Sequence, residues 1–348
     1  MTHAAAPGSV QVAVFDQGEI GLRRIELPDR APGEFDVDLT AAAICGSDLH
    51  TVLGHRSTPP QTALGHEGVG RISAVDPGAV DLRGDPLRVG DRVALSMIRS
   101  CGRCDRCRAG LTMKCRSLFK YGHASVTESP YASGTLATRI RVSPGVPVLR
   151  IPDRVDDSIM VPAGCATATA AAVVTAAAPV GDETVLIFGA GAVGLYCAAM
   201  LAGLGCTVVV RDPSAQRLAM LAGTGAVPDD GAERPYPIVV EASGSPAAFT
   251  DALKAVDLGG QVIGAGSVSI DSGTVTFDPA LLVTRRIRFS GVHNYTPDEF
   301  RLAVDWLTEH GERLDLGRLV SPPQPLTKIN DAFALMRTGT YPRVLVRP

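Results

Sequence analysis

The sequence predicts a two-domain protein, with an all-β domain first and a doubly wound α/β domain after it. Its 348 residues are more than one ordinary hydrophobic core needs, which favours two domains. Between residues 11 and 150, short apolar or alternating runs are broken by Gly and Pro, as in β domains. From residue 184 onward, apolar runs of strand length alternate with helical segments, which indicates a parallel sheet covered by helices.

In the first part, the pattern predicts a barrel-like set of strands joined by loops. The strand signals lie at residues 10–15, 35–40, 68–75, 92–96 and 135–142. The apolar run that ends at Ile44 is predicted to be a strand that passes into a loop. Polar residues that follow such a strand would be held on a rigid β scaffold, which suits a site of fixed geometry.

In the second part, helices and strands are predicted to alternate. Residues 157–178 are rich in Ala, Val and Thr and predict two helices, the second ending before Pro179. Further strands are predicted at 184–188, 207–210, 238–241, 261–265, 274–277, 287–291 and 343–346, and helices at 192–202, 214–222, 247–256, 297–310 and 329–337. The uncharged stretch 185–210 is long enough to cross a bilayer, but its glycines divide it into strand, turn, helix and strand, so we expect no membrane span.

Composition and charge point to a globular protein with a small-molecule partner. Hydrophobic residues make up 45% of the chain and charged residues 20%. The net charge is −3 and basic runs are no longer than a pair such as Arg285-Arg286, which argues against nucleic-acid binding. The first residues lack a basic region followed by an apolar run, the mark of a signal peptide, and this favours the cytoplasm.

Reactive side chains cluster directly after Ile44. The cluster has a thiol, a hydroxyl, a carboxylate and an imidazole, on Cys45, Ser47, Asp48 and His50. A thiolate is a good metal ligand, and the nearest plausible partner is His66. With Cys165 as a third ligand, the set becomes Cys/His/Cys, a zinc set that leaves a fourth position open for water or substrate.

A second group of thiols predicts a structural metal site. Cys101, Cys104, Cys107 and Cys115 are separated by two, two and seven residues. Four thiolates on one short loop can close a tetrahedral zinc site, and zinc would supply the folding energy that this polar loop lacks. The two cysteines outside the metal sets, Cys197 and Cys206, are predicted to be buried thiols.

A glycine-rich turn predicts a dinucleotide site. It follows the strand at 184–188 and contains Gly189, Gly191, Val193 and Gly194. The first two glycines permit a tight turn and a close approach of pyrophosphate, and Gly194 lets helix and strand pack. Asp212 stands at the end of the next strand, where a carboxylate binds ribose hydroxyls and repels a 2′-phosphate. NAD is therefore favoured over NADP, although Arg211 works against that preference.

In this combination and order, the motifs resemble those of the zinc-containing medium-chain alcohol dehydrogenase family. The segments that carry the resemblance are 45–50, 65–70, 89–93, the four-cysteine loop, Cys165 and the glycine-rich turn. The resemblance implies a GroES-like β-barrel catalytic domain at 1–160 with a structural zinc lobe at 98–118. It further implies a Rossmann NAD-binding domain at 161–293, a return to the catalytic domain at 294–348, and a homodimer or homotetramer.

The resemblance also implies roles for individual residues. Zinc on Cys45, His66 and Cys165 would act as a Lewis acid on the substrate alcohol, with two zinc ions per chain in all. Glu67 would lie behind the metal and exchange onto it, and Asp48 would orient His66. Ser47 and His50 would relay the alcohol proton through the cofactor ribose to solvent, since a hydroxyl and an imidazole both donate and accept. Arg217 would contact the ribose.

The substrate is less closely defined. Segments 119–123, 165–169 and 291–295 are similar to a bacterial branch of the family proposed to act in phosphonate metabolism. Arg56 takes a position that is often apolar in the family, and with Lys120 and His123 it could receive an anionic group. The alternatives are a neutral polyol or secondary alcohol as substrate, and a noncatalytic binding protein on the same fold.

Overall fold

The computed structural model describes residues 8–232, 234–266 and 273–348. The described chain divides into two compact units. The first comprises the residues up to Cys165 together with Thr296–Pro348, and the second comprises Ala166–Tyr295. Each unit has its own sheet, and the role expected for each unit stays a prediction.

The segment up to Cys165 is built mainly from strands. Its elements are β1 (Ser9–Asp16), β2 (Glu19–Glu26), β3 (Phe35–Ile44), α1 (Gly46–Val52), β4 (Thr62–Ala63), β5 (Glu67–Ala74), β6 (Arg92–Leu95), β7 (Ile98–Arg99), α2 (Asp105–Arg108), β8 (Phe119–Lys120), β9 (Arg139–Val142), β10 (Val148–Arg150) and α3 (Asp157–Met160). Two 3₁₀ helices accompany them, at Thr112–Lys114 and Val161–Gly164.

The second unit alternates helices and strands, as the sequence predicts. Its elements are α4 (Ala166–Ala177), β11 (Thr184–Phe188), α5 (Ala192–Gly203), β12 (Thr207–Arg211), α6 (Ala215–Ala219), β13 (Val227–Pro228), β14 (Tyr236–Glu241), α7 (Pro246–Ala255), β15 (Val256–Gly264), α8 (Ala280–Arg285) and β16 (Arg288–Gly291). The remaining elements belong to the first unit: α9 (Pro297–His310), 3₁₀ helices at Leu316–Leu319 and Leu326–Lys328, β17 (Gln324–Pro325), α10 (Ile329–Arg337) and β18 (Val344–Arg347).

In the first unit, the main sheet has the order β10-β6-β5-β3-β18-β17, with β9 also paired to β3. The C-terminal strand β18 lies antiparallel to β3, with Val344 opposite Ile44. This pairing brings the end of the chain next to Cys45. Side chains from β3, β18 and α10 form a buried core around Phe333 and Ile44.

In the second unit, six parallel strands have the order β13-β12-β11-β14-β15-β16. The strand order reverses between β11 and β14, so the carboxyl ends of these two strands border the crevice where a doubly wound sheet binds its ligand. Buried Leu186, Val239 and Val262 fill the interior. The predicted combination of a GroES-like β domain and a Rossmann-type parallel sheet is confirmed.

Two local predictions are wrong. The residues after Ile44 form helix α1 and not a loop, because Cys45 caps it: Ser47 N donates to Cys45 Sγ at 3.2 Å, and Cys45 N donates to Asp48 Oδ2 at 3.0 Å. The strand predicted at 274–277 is also missing, although those residues are described. They are mostly exposed, and β propensity reports a fit to a half-buried pleated surface, which this segment does not have.

Among the described residues, no single helix is long and apolar enough to cross a membrane. One bent pair, 157–164 with 166–177, would qualify by length and composition alone, and most of α4 is buried in the protein. The uncharged stretch 185–210 divides into β11, α5 and β12, as predicted.

Candidate metal and cofactor sites

Three predicted metal ligands come together in the first unit. The sulfur atoms of Cys45 and Cys165 and a ring nitrogen of His66 all lie within 4.8 Å of one another. Cys45 Sγ lies 3.0 Å from His66 Nε2. Cys45 and His66 are buried and Cys165 is half-buried, so the cluster is shielded from bulk water on most sides.

The sheet explains why residues distant in sequence meet here. Strands β3 and β5 are antiparallel with Ala43 opposite Glu67, so the end of β3 and the start of β5 lie at the same place. Gly65, next to His66, has φ +89°, and a Cβ there would meet the backbone nitrogen of Leu136 at 2.5 Å. Glycine is therefore required for the chain to enter β5 with His66 facing Cys45.

Neighbouring groups lower the pKa of one of the two thiols, which favours its binding to a metal ion. Burial opposes ionisation of Cys45, but the hydrogen bond from Cys165 and the charge of His66 hold the pKa of Cys45 well below its ordinary value. The hydrogen bond to Cys45, together with burial, raises the pKa of Cys165. Cys45 therefore ionises readily, whereas Cys165 keeps its proton. A divalent cation bound between them would displace the proton of Cys165, so that both sulfurs bind it as thiolates.

Asp48 and Ser47 surround this cluster from α1. Asp48 accepts hydrogen bonds from the backbone N–H groups of Cys45 and Gly65 at 3.0 and 3.1 Å, and its Oδ1 lies 3.4 Å from His66 Nδ1. It thus ties both ligand-bearing segments together. Ser47 Oγ lies 2.8 Å from Cys45 Sγ and 3.1 Å from His66 Nε2, at the edge of the site.

Glu67 forms a buried ion pair with Arg343. Both carboxylate oxygens are within 2.9 Å of Arg343 Nε. Burial raises the pKa of Glu67, and the arginine charge opposes that rise. The predicted contact of Glu67 with a metal stays a prediction; its carboxylate is here engaged by the arginine that precedes β18.

His50 lies on the exposed side of α1, beside one residue that was not predicted from the sequence, His55. Its Nδ1 is 3.1 Å from Nδ1 of His55. Burial lowers the pKa of His50, and the positive charges of Arg56 and His55 lower it further. The ring is therefore neutral over a wider pH range. A neutral imidazole at this position is able to accept a proton.

The predicted substrate residues include a partly buried cation. Burial lowers the pKa of Lys120, and the positive charges of Lys114 and Arg56 lower it further, while Cys165 acts in the opposite direction. The interaction with Cys165 relates Lys120 to the metal cluster. Burial, with the charge of His66, lowers the pKa of His123 to about 4, and its Nδ1 lies 3.0 Å from the carbonyl of Tyr121. His123 is therefore neutral, with Nδ1 donating and Nε2 left as an acceptor.

The second predicted cysteine set also comes together. The sulfur atoms of Cys101, Cys104, Cys107 and Cys115 all lie within 4.8 Å of one another. The backbone N–H groups of Arg116 and Cys107 lower the pKa of Cys104 to about 6. Ser117 N donates to Cys115 Sγ at 3.3 Å. The lobe has only short elements, α2 and one 3₁₀ turn, around these sulfurs. Its sulfurs fit four tetrahedral zinc ligands.

The glycine-rich turn has the shape that the sequence predicts. Gly189 has φ +102°, and a Cβ there would meet Ser243 N at 2.8 Å. A Cβ on Gly194 would lie 1.9 Å from the carbonyl oxygen of Gly189, so only glycine lets α5 pack this closely. Gly191 caps α5 and faces open space, where a bound pyrophosphate would approach the helix N-terminus. The turn fits a dinucleotide.

Asp212 is fixed at the end of β12. Its Oδ2 accepts from Ala190 N and its Oδ1 from Ser214 N, both at 2.8 Å. Arg217 lies over it with Nη1 3.8 Å from Oδ2. The neighbouring Arg211 makes a different contact, donating from Nε to Asp229 Oδ2 at 2.6 Å.

Three of these interacting residues were not predicted from the sequence. They are His55, Asp229 and Arg343. Arg343 is 276 residues from Glu67 in sequence, and no local motif marks such a pair. His55 could have been identified, because it lies five residues after His50 at the end of a short helix.

Comparison with known proteins agrees with this geometry. Residues 31–153 match the family model described as alcohol dehydrogenase GroES-like domain, and residues 192–309 match the one described as zinc-binding dehydrogenase. The 5-exo-hydroxycamphor dehydrogenase of Pseudomonas putida is 26% identical, with 96% of each chain covered. The L-threonine 3-dehydrogenase of Pectobacterium carotovorum is 29% identical, with 94% of this chain and 96% of that one covered.

A solved structure is similar over the same length. The alcohol dehydrogenase of Thermotoga maritima is 25% identical, with a TM-score of 0.90 over 98% of this chain and 99% of that chain. The two family models, the relatives and the similar solved structure all indicate the same family. The chain belongs to the zinc-containing medium-chain alcohol dehydrogenase family, a family of oxidoreductases.

Proposed function

We propose that this protein is an NAD-dependent zinc alcohol dehydrogenase that interconverts an alcohol with its aldehyde or ketone. The observation that carries the proposal is the convergence of Cys45, His66 and Cys165 within 4.8 Å. Three ligands of this type leave one position of a tetrahedral zinc ion for substrate. The four-cysteine lobe would hold a second, structural ion.

The donor set fits zinc in its chemistry as well as its spacing. Zinc binds thiolate at about 2.3 Å and imidazole at about 2.0 Å, so ligand atoms around it lie roughly 3.5 Å apart. When bound, the ion supplies Lewis acidity that lowers the proton affinity of an alcohol. The chain's own part is to hold the ligands: Asp48 bonds the backbone on both sides of the cluster and faces His66 Nδ1.

The proton of the alcohol needs a path to water. Ser47 borders the ligand cluster, and its hydroxyl can accept a proton and pass one on. His50 is neutral and exposed on the next turn of α1, so it can accept a proton and release it to solvent. In this proposal Ser47 and His50 are the groups that move the proton.

Replacing His50 with Gln tests this path through its pH dependence. Since the pKa of His50 is lowered, the wild-type base stays available well below neutral pH, and its loss is felt most at low pH. We expect turnover to fall about tenfold at pH 6 and to recover toward the wild-type value in alkaline buffer. The pH profile of kcat is the measurement, with His310→Gln as control. Parallel profiles for His50→Gln and wild type would remove His50 from the path.

The preference for NAD over NADP rests on Asp212. Its carboxylate is fixed by two backbone N–H groups, so its negative charge stays where a ribose 2′ substituent would lie. Hydroxyl groups can donate to its remaining lone pairs, whereas a 2′-phosphate would be repelled. Arg217, beside Asp212, is proposed to contact the ribose.

For the substrate we propose an alcohol that carries an anionic group, such as a hydroxyalkylphosphonate. Lys120 is partly buried among the positive charges of Lys114 and Arg56, and its interaction with Cys165 places it in electrostatic range of the metal cluster. A bound anion would reduce the repulsion among these cations. Arginine can donate two parallel hydrogen bonds to two oxygens of one phosphonate group. The neutral His123 would accept a hydrogen bond from the substrate.

A second candidate is a neutral polyol or secondary alcohol. The relative named for 5-exo-hydroxycamphor favours it, since that name specifies an uncharged secondary alcohol. In this case Arg56 would face solvent. A noncatalytic role on the same fold is disfavoured, because both cysteine sets and the glycine-rich turn are intact.

Oxidation of 2-hydroxyethylphosphonate and of a neutral alcohol of similar size tests both candidates. We expect NAD reduction by the zinc-loaded protein with kcat/KM at least about tenfold higher for the phosphonate, and loss of that preference in Arg56→Ala. Arg88→Ala serves as the control for loss of a surface charge. Turnover of the neutral alcohol alone would discard the anionic substrate, and turnover of neither compound nor of other alcohols would contradict the dehydrogenase proposal.

The protein is further proposed to be a cytoplasmic homo-oligomer. Strand β16 is the last strand of its sheet, and all four of its residues are exposed. Such an edge suits pairing with the same strand of a second copy, which supports a homo-oligomer. The net charge of −3, with basic runs no longer than a pair, argues against a nucleic-acid partner.

A further inference from the structure

Two arginine–aspartate pairs lie at the carboxyl end of β12. Arg217 lies beside Asp212, with Nη1 3.8 Å from Oδ2. Arg211 donates from Nε to Asp229 Oδ2 at 2.6 Å. Each positive charge is therefore balanced by an acid, in the part of a doubly wound sheet where the adenosine ribose of a dinucleotide binds.

The Arg211 pair is the tighter of the two. The Asp229 side chain is 5% exposed and that of Arg211 is 41% exposed, so the acid is part of the protein interior and the arginine reaches outward from it. The guanidinium also lies 5.2 Å from the centre of the Phe188 ring. A hydrogen bond on one side and an aromatic contact on the other restrain Arg211.

Asp229 itself is firmly positioned. Its backbone N–H donates to the carbonyl of Val210 at 2.9 Å, directly after the pairing of β13 with β12. Its other carboxylate oxygen, Oδ1, is buried with no hydrogen-bond partner among the described residues. Arg211 is therefore held through Oδ2, and Oδ1 is available to accept a second N–H of the same guanidinium, as in bidentate arginine–carboxylate pairs.

Arg211 would otherwise be well placed to bind a phosphate. It adjoins Asp212 in sequence, and its guanidinium is partly exposed at the same end of the sheet. In NADP-binding sheets, a nearby arginine accommodates the 2′-phosphate. In this chain the arginine is present, but it is paired with Asp229, which directly follows the neighbouring strand β13.

We propose that Asp229 is a specificity-determining residue, which excludes adenine nucleotides with a 2′-phosphate by pairing with Arg211. The inference rests on the proposed dinucleotide function and extends it from Asp212 to a second acid. Asp212 repels the phosphate directly, and Asp229 withholds the cation that would attract it. The ligand class that the site rejects is NADP and its fragment 2′,5′-ADP.

Calorimetric titration of the zinc-loaded full chain with NAD and NADP tests this without turnover. In Asp229→Asn, which keeps the side-chain shape, we expect NADP to bind about tenfold more tightly than to wild type, with the Kd of NAD changed less than about twofold. 2′,5′-ADP should show the same gain. The double variant Asp229→Asn with Arg211→Gln should lose it, since the gain requires the released guanidinium.

The outcomes separate this inference from the proposed function. Unchanged NADP affinity in a folded Asp229→Asn protein, or a gain that persists without Arg211, would overturn the inference while NAD binding left the proposed function standing. Wild-type protein that binds neither dinucleotide would overturn both. If Asp229→Asn fails to fold, Asp229→Ser is titrated in its place, and the same gain in NADP affinity is expected.

Discussion

Replacement of Cys165 by Ser is expected to remove one of the two proposed zinc ions and to lower kcat/KM at least about 10³-fold. A Lewis acid contributes several kcal/mol to alcohol activation, and each 1.4 kcal/mol is about a factor of ten in rate. Cys165 is one of only three clustered ligands among the described residues near Cys45, so the remaining two cannot hold a catalytic ion. Metal analysis and steady-state kinetics on the same preparation make the measurement.

Cys197→Ser is the matched control for that variant. Cys197 is a fully buried thiol on α5 whose sulfur lies 3.9 Å from the carbonyl of Ala170, and it belongs to neither cysteine cluster. It should keep two zinc ions and near-normal turnover. If Cys165→Ser kept both ions, or lost one with turnover intact, the assignment of Cys165 to a catalytic ion would fail.

Much of the fold and the donor sets could be predicted from local sequence. The glycine-rich turn carries its own explanation, because Gly194 has no space for a Cβ and Gly189 has a positive φ. Strand and helix periods also depend on neighbours along the chain, so β11, α5 and β12 were predicted within one residue at each end. The four-cysteine lobe is local as well, since its ligands span only residues 101–115.

What could not be predicted depends on tertiary contacts. Helix α1 forms because Asp48 and Cys45 exchange capping hydrogen bonds, and a cysteine cap is rarely recognised from sequence. The Glu67–Arg343 pair joins residues 276 positions apart, so it exists only once β18 lies beside β3. Segment 274–277 has strand-forming residues, but in the fold it lies exposed, where that propensity has no partner to act on.

The four-cysteine lobe should depend on its metal for folding. Replacing Cys107 with Ser is expected to leave about one zinc ion per chain and to lower Tm by on the order of 10 °C, because structural zinc supplies much of the folding free energy of small cysteine lobes. Cys107 and Cys115 are the buried thiols of the set. The lobe between Cys101 and Cys115 contains few apolar residues that could form a core in place of the metal. Trypsin should then cut after the exposed Arg103 or Arg108, while kcat at low temperature stays within about tenfold of wild type.

Arg116→Gln gives the control within the same lobe. It breaks the exposed ion pair between Arg116 Nε and Asp105 Oδ1, 2.7 Å apart, and leaves all four sulfurs in place. Exposed pairs of this kind contribute little to stability, so Tm should change by only about 1–3 °C and both proposed zinc ions should remain. Equal losses of Tm in Arg116→Gln and Cys107→Ser would mean that general disturbance of the lobe, and not the metal, accounts for the effect. A large loss in Cys107→Ser alone would assign the stability of the lobe to the bound ion.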